Sequence, residues 1–402
     1  MKYLWGYVTA AILGAISWVL LQFGERFSTL VDMVYPYVMR TVQGFLAQWS
    51  GGVDFLLWQV LAVFLVVVML AVLVVCIVLK RNPITWAGWA LALCSFLYLL
   101  HTLLFGLNYH AGNLTDDLRL EAAQYTLEEL AEATEYYRDQ ANILAKWVDR
   151  DTQGNVDFDS FEALADKAGE GFEILTYNYS YPIFAGSTQP VKKLGWADMY
   201  TSMGITGVTM GITGEAAVNP QIPDVTLPFT MCHEMAHRMC IANERDANFA
   251  AFLACSVHED IQFRYSAYFM AYRYCYTALA GIRTEKAAAE TARISDGVNE
   301  QLYQDLLYYD TFFSSHRDAS AKKLADTAND TYLRASGDTA GIASYGAVTD
   351  LLVSWNYQRE ILPTIVHQEK KFDPYDESQV DLGGIVNAKD PKPVQPDVGG
   401  VG

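Results

Sequence analysis

Residues 229–253, FTMCHEMAHRMCIANERDANFAAFL, contain two histidines and a glutamate in the pattern His-Glu-x-x-His. His233 and His237 are four residues apart, and on an α-helix this spacing places both imidazoles on one face, about one turn from each other. Two neutral imidazoles in that position can bind one zinc ion, and Glu234 can accept a proton from a zinc-activated water. The motif therefore predicts a catalytic zinc site. A chance occurrence in an amphipathic helix is the alternative.

A zinc site of this kind needs a third protein ligand, and Glu244 follows His237 by seven residues. On one straight helix the two would be separated by about 10 Å along the axis. We therefore expect the chain to turn at RMCIAN, with Asn243 as the N-cap of a second helix that begins near Glu244. Asp246 is the alternative third ligand. Asn248, one helical turn after Glu244, is predicted to hydrogen-bond a ligand histidine.

The N-terminal part of the 402-residue chain is strongly apolar. Three segments are each long enough to cross a hydrocarbon core of about 30 Å and are predicted to be transmembrane helices: 3–23, 54–79 and 85–106. The basic pair at 80–81 indicates that the link between the second and third spans is cytoplasmic. This places the chain after residue 107 outside the plasma membrane. The segment 24–53 has apolar residues at helical spacing, broken at Pro36, and is interpreted as a helix on the membrane surface.

Composition divides the chain into three parts. Residues 1–106 are the predicted membrane domain, 107–372 the predicted extracytoplasmic domain, and 373–402 a polar tail that is expected to be disordered. The outer domain begins with one long predicted amphipathic helix over 114–148. Short strands turned by glycines are expected within 204–219, before the histidine helix. The fold class is a mainly α membrane protein.

The charge of the chain narrows the classes of partner. The formal net charge of −18 argues against nucleic acid and against docking on anionic lipid through a basic surface. The apolar spans imply the lipid bilayer itself as a partner.

The stretch FTMCHEMAH followed by NERDANFAAFL resembles the gluzincin metallopeptidases, in which an HExxH helix precedes a Glu-x-x-Ala-Asn/Asp helix. The resemblance implies that His233, His237 and Glu244 bind Zn2+ and that Glu234 is the general base. It places Asn248 where many members have Asp. The three spans and the segments TGEAAVN, LPFT and FRYSAYF look like those of an uncharacterised family of bacterial membrane proteins with a zincin-like α+β outer domain.

The zincin resemblance carries three further expectations. Zincins commonly bind substrate along an edge strand before the active-site helix, and 204–219 is at that place, with a hairpin that only fills the domain as the alternative. A Tyr or His often stabilises the oxyanion, and Tyr345, in the glycine-flanked GIASYGAV, is the first candidate, followed by Tyr265 and His316. Position 240 is Cys where similar sequences have Gly, so the turn is expected to form there without a positive φ.

The function predicted from these features is a membrane-anchored zinc metallopeptidase acting on a peptide or protein substrate, with Glu234 as the base. A zinc-bound membrane sensor or scaffold without turnover is the alternative from another class. A base beside an open ligand position favours the peptidase, because a purely structural site has no use for it. A transporter is the weakest reading, since the three spans contain His101 but no buried acid for an ion path.

Overall fold

The computed structural model of the chain describes residues 4–120, 124–336 and 347–358. It is mainly helical with one small sheet, and this coarse prediction is confirmed. The helices are α1 Trp5–Arg26, α2 Ser28–Ser50, α3 Leu57–Val78, α4 Pro83–Leu104, α5 Leu114–Leu118, α6 Leu127–Leu144, α7 Phe161–Lys167, α8 Glu170–Tyr177, α9 Ala197–Met203, α10 Leu227–Arg238, α11 Glu244–Ser256, α12 Ile261–Gly281, α13 Glu285–Asp296, α14 Glu300–His316, α15 Ala319–Ser336 and α16 Val348–Gln358. The strands are β1 Lys192–Lys193, β2 Gly207–Met210 and β3 Glu215–Val218. The predicted tail at 373–402 lies outside the described residues.

Helices α1, α3 and α4 are long and apolar enough to cross a membrane, and each agrees with a predicted span to within three residues at either end. Helices α1 and α4 pack along their length in parallel. Gly6 of α1 lies against the backbone of Gly88, and Gly24 lies against His110, just after α4. Small residues at these contacts allow the two backbones to approach closely. The C-terminal ends of α1 and α4 therefore lie on the same side.

Helix α2 continues through Pro36, so the expected break at this residue was wrong. A proline inside a helix removes one backbone hydrogen bond. However, one face of α2 is buried along its length. On that face Arg40 donates from Nε to the Met239 carbonyl (3.2 Å), and Gln43 donates from Nε2 to the Gly211 carbonyl (2.8 Å). Contacts with the domain that follows α4, here named the outer domain for its predicted location, thus support a continuous helix where the local sequence predicts an interruption.

The expectation of one helix over 114–148 was also wrong. Helix α5 ends at Leu118, and Arg119 after it adopts a left-handed conformation with φ +55°. Helix α6 begins at Leu127, where Thr126 and Glu129 form a reciprocal capping box. The box satisfies two backbone donors at the start of α6, which favours a new helix start there over continuation from α5.

The outer domain is built around α10 and α11, whose residues are nearly all buried. Helices α12 and α16 pack on this pair, and α6 packs on both of them. The Tyr137 hydroxyl of α6 donates to the Leu352 carbonyl of α16 (2.8 Å) and joins these elements in the core. Strands β2 and β3 also pack on α10. The histidine helix therefore contacts both the sheet and the helical core.

The sheet is mixed, with the strand order β1-β3-β2. Strands β2 and β3 form an antiparallel hairpin in which Gly207 is opposite Val218 and Thr209 is opposite Ala216. Gly214, with φ +67°, supplies the left-handed residue before β3. The strands predicted within 204–219 are thus confirmed. Strand β2 is an edge strand, and no further strand pairs with it in the described part of the chain.

Glu215, the first residue of β3, joins the sheet to the start of α3. Its Oε1 accepts a hydrogen bond from the Leu57 N–H (2.8 Å), and its Oε2 accepts one from the Trp58 N–H (2.9 Å). The first turn of a helix has unpaired N–H groups and a partial positive charge, so a carboxylate is stabilising there. Lys192 Nζ lies 2.8 Å from Glu215 Oε1 and also donates to two carbonyls of the α2–α3 region. One buried ion pair therefore links α3 to the sheet.

This linkage predicts a difference between two neighbouring lysines. The Lys192 side chain is 12% exposed, whereas that of Lys193 is 50% exposed and pairs with the exposed Glu162. We expect Lys192→Ala to lower the free energy of unfolding by about 3–5 kcal/mol, because it leaves the Glu215 carboxylate buried without its cationic partner. Lys193→Ala, the matched control, should change stability little. Thermal unfolding of the full chain in detergent measures both, and equal shifts in Tm would contradict the role of Lys192.

Candidate metal centre

Helix α10 brings the two motif histidines together. Pro228 lies in its first turn, where a helix can accommodate a residue without an N–H donor. The Nε2 atoms of His233 and His237 are 3.1 Å apart, and the rings meet edge to face with centroids 4.6 Å apart. The prediction that this spacing places both imidazoles on one face is confirmed.

The chain reverses direction directly after α10. The Cys240 N–H donates to the His237 carbonyl (2.9 Å), and the Ile241 N–H donates to the Ala236 carbonyl (3.1 Å). These are the two bonds of a Schellman motif, which requires a left-handed residue at its C′ position. Cys240 is that residue, with φ +71°, so the expectation that the turn would avoid a positive φ here was wrong. The hydrogen-bond pattern of the turn sets this backbone conformation despite the presence of a side chain.

The turn delivers Glu244 to the histidines. Helix α11 begins at Glu244, and the Asn243 side chain caps it by accepting a hydrogen bond from the Arg245 N–H (2.9 Å), as predicted. Glu244 Oε2 lies 3.2 Å from His233 Nε2 and 3.5 Å from His237 Nε2. The three side chains form the only group of this kind found among the described residues, with possible ligand atoms all within 4.8 Å of one another.

The spacing of these three atoms suits a zinc ion. A tetrahedral zinc with bonds of about 2.0–2.1 Å holds its ligand atoms about 3.3 Å apart. The observed separations are 3.1, 3.2 and 3.5 Å. Glu244 Oε2 makes no hydrogen bond of acceptable geometry within the described residues, although it is buried and close to both nitrogens. The three atoms therefore converge on a common point, and the donor set of two imidazoles and one carboxylate is one that zinc binds.

Asp246, the alternative third ligand, is used elsewhere. Its Oδ2 accepts a hydrogen bond from the Leu114 N–H (2.9 Å), and its Oδ1 accepts one from Arg245 Nε (3.0 Å). The side chain is buried in these contacts at the α5 side of α11. Of the two acidic residues, the structure brings Glu244 to the histidines.

A backbone carbonyl orients the second histidine. His237 Nδ1 lies 2.9 Å from the Ile241 carbonyl oxygen. With its proton on Nδ1, the neutral ring presents the lone pair of Nε2 towards Glu244 and His233. Asn248 was expected to orient a histidine, but its Oδ1 instead accepts a hydrogen bond from the Tyr274 hydroxyl (3.3 Å). His233 Nδ1 and Asn248 Nδ2 have no hydrogen-bond partner among the described residues.

The electrostatics of the cluster match a site that carries positive charge. Burial lowers the pKa of His237, but the Glu244 carboxylate, together with Glu234 and the Ile241 carbonyl, outweighs burial and raises this pKa to about 9. Burial raises the pKa of Glu244, but His237 and His233 outweigh it, and the pKa lies well below its usual range. The carboxylate is therefore ionised beside the imidazoles. A divalent cation bound here would take the place of the imidazolium proton.

Glu234 lies on the same helix and is held by strand β2. Its side chain is only 4% exposed, and burial raises the pKa of its carboxyl group. Thr209 Oγ1 lies 2.7 Å from Glu234 Oε2 and 2.8 Å from the Glu234 carbonyl oxygen. A Cβ atom at Gly207 would overlap Glu234 Oε1, so only glycine leaves room for the carboxylate at this point of the strand. The edge strand thus fixes the position of the predicted base.

No curated protein and no solved structure matches this chain. A protein family does match, over residues 31–353, which contain most of α2, all of α3 and α4, and all the side chains of the candidate centre. The chain belongs to the family DUF3810. That family is described as a protein of unknown function, so membership adds no activity.

Two site residues of the DUF3810 chain had no signal in the sequence. Gly207 and Thr209 meet Glu234 across more than twenty residues, and only the strand register brings them there.

Tyr345, the first candidate for the oxyanion, lies outside the described residues. Tyr265 is buried with its hydroxyl hydrogen-bonded to Asp305, whose carboxylate also pairs with Arg150. His316 is exposed at the end of α14, where its ring stacks on Phe312.

The two acidic residues of α11 in the DUF3810 chain should differ in their effect on zinc binding. We expect Glu244→Gln to weaken zinc binding by more than about 100-fold, a larger loss than removal of an outer-sphere partner causes. Asp246→Asn should retain zinc, because the amide oxygen can still accept the Leu114 hydrogen bond. Metal content and chelator competition on the full chain in detergent test both variants. Loss of zinc from Asp246→Asn alone would assign the ligand to Asp246.

Proposed function

We propose that this chain is a membrane-anchored zinc metallopeptidase with a zincin-like outer domain of the gluzincin type. The observation that carries the proposal is the convergence of His233 Nε2, His237 Nε2 and Glu244 Oε2 next to the buried carboxylate of Glu234. A zinc ion held by the three ligands would supply Lewis-acid chemistry to a water molecule and a peptide carbonyl.

The Thr209 hydroxyl can hydrogen-bond the Glu234 carboxyl group in both of its protonation states. The Thr209 hydroxyl has one proton and two acceptors, the Glu234 carboxylate and the Glu234 backbone carbonyl. When Glu234 is ionised, the hydroxyl can donate to Oε2. When Glu234 has accepted a proton from water, its own O–H can donate to Thr209 Oγ1 while the hydroxyl proton turns to the backbone carbonyl. The carboxyl group therefore keeps one position in both protonation states, as a general base requires.

Strand β2 offers a place for an extended peptide. The Asn219 N–H donates to the Thr206 carbonyl (2.8 Å), and hydrogen-bonded pairs alternate along an antiparallel hairpin. The backbone groups of Val208 and Met210 therefore face β3, and those of Gly207 and Thr209 face the free edge. A substrate strand can hydrogen-bond to these groups beside Glu234. A hairpin that only fills the domain would have no use for a free edge at this position.

The proposed topology places this domain outside the cell. Helices α1 and α4 end, and α3 begins, next to the outer domain, whereas the link with Lys80 and Arg81 lies at the far end of α3 and α4. Positively charged links are retained on the cytoplasmic side. The outer domain and its centre would then be extracytoplasmic in a multi-pass plasma-membrane protein.

A zinc-bound sensor without turnover is the second candidate. The contacts of Arg40 with Met239 and of Glu215 with the start of α3 favour it, since they connect the centre to the helices of the membrane domain. A sensor, however, needs no buried carboxylate held next to the ligand positions. The two functions differ in what Glu234 contributes.

Glu234→Gln should therefore abolish peptide hydrolysis and leave zinc content unchanged. Loss of a catalytic base reduces the rate by at least about 100-fold. The assay is cleavage of a mixed-sequence peptide pool by the full chain in detergent, read by mass spectrometry, with zinc content measured in parallel. Glu259→Gln, at an exposed glutamate, is the control and should retain activity. Equal hydrolysis by the Glu234 variant and the wild type would reject the peptidase.

Thr209→Val should lower kcat with little change in KM. The substitution removes the hydroxyl without changing the shape of the side chain, and a hydrogen bond to a charged group contributes about 1.5–3 kcal/mol, or about 10–100-fold in rate. Thr209→Ser should restore most of kcat because it returns the hydroxyl. Zinc content should be equal in all three proteins. A similar loss in the serine variant would indicate packing by the methyl group instead of positioning of Glu234.

A further inference from the structure

One face of α2 has no protein partner within the described residues. The buried face of the helix contains Arg40, Gln43 and Ala47 and lies against the outer domain. The exposed face carries large apolar side chains, among them Leu30, Val34, Tyr37, Val38, Phe45 and Trp49, which is 62% exposed. An apolar stripe opposite a protein-facing stripe is typical of a helix that lies in the membrane interface.

The connections of α2 identify the surface that this stripe contacts. Helix α1 ends at Arg26, and only the exposed Phe27 separates it from the start of α2. Helix α3 begins at Leu57, soon after α2 ends. Both ends of α2 are thus attached to apolar helices long enough to cross a membrane. The stripe is thus carried on a helix between two candidate membrane spans, which favours the bilayer surface over a soluble protein as its partner.

The tip of the β2–β3 hairpin contacts both α2 and the C-terminal end of α4. Gln43 Nε2 donates to the Gly211 carbonyl (2.8 Å) and to the Leu104 carbonyl at the end of α4 (3.0 Å). A Cβ atom at Gly211 would lie 2.6 Å from Phe105 Cβ, and one at Gly214 would lie 2.7 Å from the backbone nitrogen of Ala47. The hairpin tip is therefore packed between the interfacial helix and the end of a membrane span.

The centre is only a short distance from this tip. Thr209, which contacts Glu234 at 2.7 Å, precedes Gly211 by two residues, and two residues of a strand span about 7 Å. The proposed base is therefore about 10 Å from the residue that touches the end of α4. An extended polypeptide covers that distance with about three residues. A substrate on the edge of β2 would run between the membrane surface and the interior of the outer domain.

We propose that the substrates are polypeptides that remain tethered to the membrane, cleaved at a bond a few residues, at least about three, beyond the end of their own membrane span. This inference rests on the proposed peptidase function. The cleaved bond is thus defined by its distance from the bilayer and not by the sequence around it. A soluble peptide could reach the same edge strand, but nothing would then require the strand to lie at membrane level.

The test uses the full chain reconstituted in liposomes with a single-span substrate. The substrate carries an outer segment of about 40 unstructured residues, made of two different blocks whose order is exchanged in a second version. Mass spectrometry maps the cuts. We expect cuts within about the first eight residues outside the span in both versions, whichever block is placed there. Cuts that follow one block to the distal position, or that are spread evenly, would overturn the proposal.

The same experiment separates this proposal from the peptidase function. Suppose that the wild type cleaves the outer segment at distal positions and that Glu234→Gln does not cleave it. The peptidase function then stands, and the proposal of cleavage near the membrane fails. If wild type and Glu234→Gln give the same pattern, or neither cuts the tethered segment or the peptide pool, the peptidase function itself fails.

A second variant tests the part played by the α2 stripe. Phe45, 69% exposed on α2, and Leu324, 70% exposed on α15, are matched apolar side chains on different surfaces. Phe45→Glu should reduce cleavage of the tethered substrate severalfold and leave cleavage of the free peptide pool unchanged, because it disturbs only contact with the bilayer. Leu324→Glu should leave both unchanged. Equal behaviour of the two variants on the tethered substrate would contradict the proposal.

Discussion

A single left-handed residue, Cys240, makes it possible for three donor atoms to meet in this chain. Its backbone, with φ +71°, reverses the chain after α10 and is closed by hydrogen bonds to the carbonyls of His237 and Ala236. Without the reversal, Glu244 would lie about 10 Å further along the helix axis. A non-glycine residue in this conformation costs about 1–2 kcal/mol. Burial of Ile241 and its neighbours in the turn offsets that cost.

The same turn connects the candidate centre to helix α2. On one side the Met239 carbonyl accepts a hydrogen bond from Arg40 of α2, and on the other the Ile241 carbonyl accepts one from His237. Gln43, one helical turn beyond Arg40, holds the tip of the hairpin that carries Thr209. Both halves of the site, ligands and edge strand, are thus fixed to α2. A shift of α2 relative to the outer domain would act on both halves at once.

Features that depend on local geometry could be predicted from the sequence. The pairing of His233 with His237 needs only the pitch of a helix, and the start of α11 needs only the capping preference of Asn243. The apolar spans are equally local, because their signal is length and composition. Features set by tertiary contacts could not be predicted. Helix α2 passes through Pro36 because the outer domain supports it, and Thr209 reaches the base only through the register of a hairpin.

The positions of strand β2 and of Glu234 depend on each other. They have less influence on the positions of the proposed metal ligands. Glu234 is buried by the same strand that would carry the substrate, so the carboxylate and an incoming peptide must share the space along β2. Glycine at 207 leaves that space for the carboxylate, and the hydroxyl of Thr209 holds Oε2 at one end of it. Any side chain at 207 would displace the base while leaving His233 and His237 in place. Metal binding and the proposed hydrolysis would therefore depend on different parts of this fold, the first on the histidine helix and the second also on the strand.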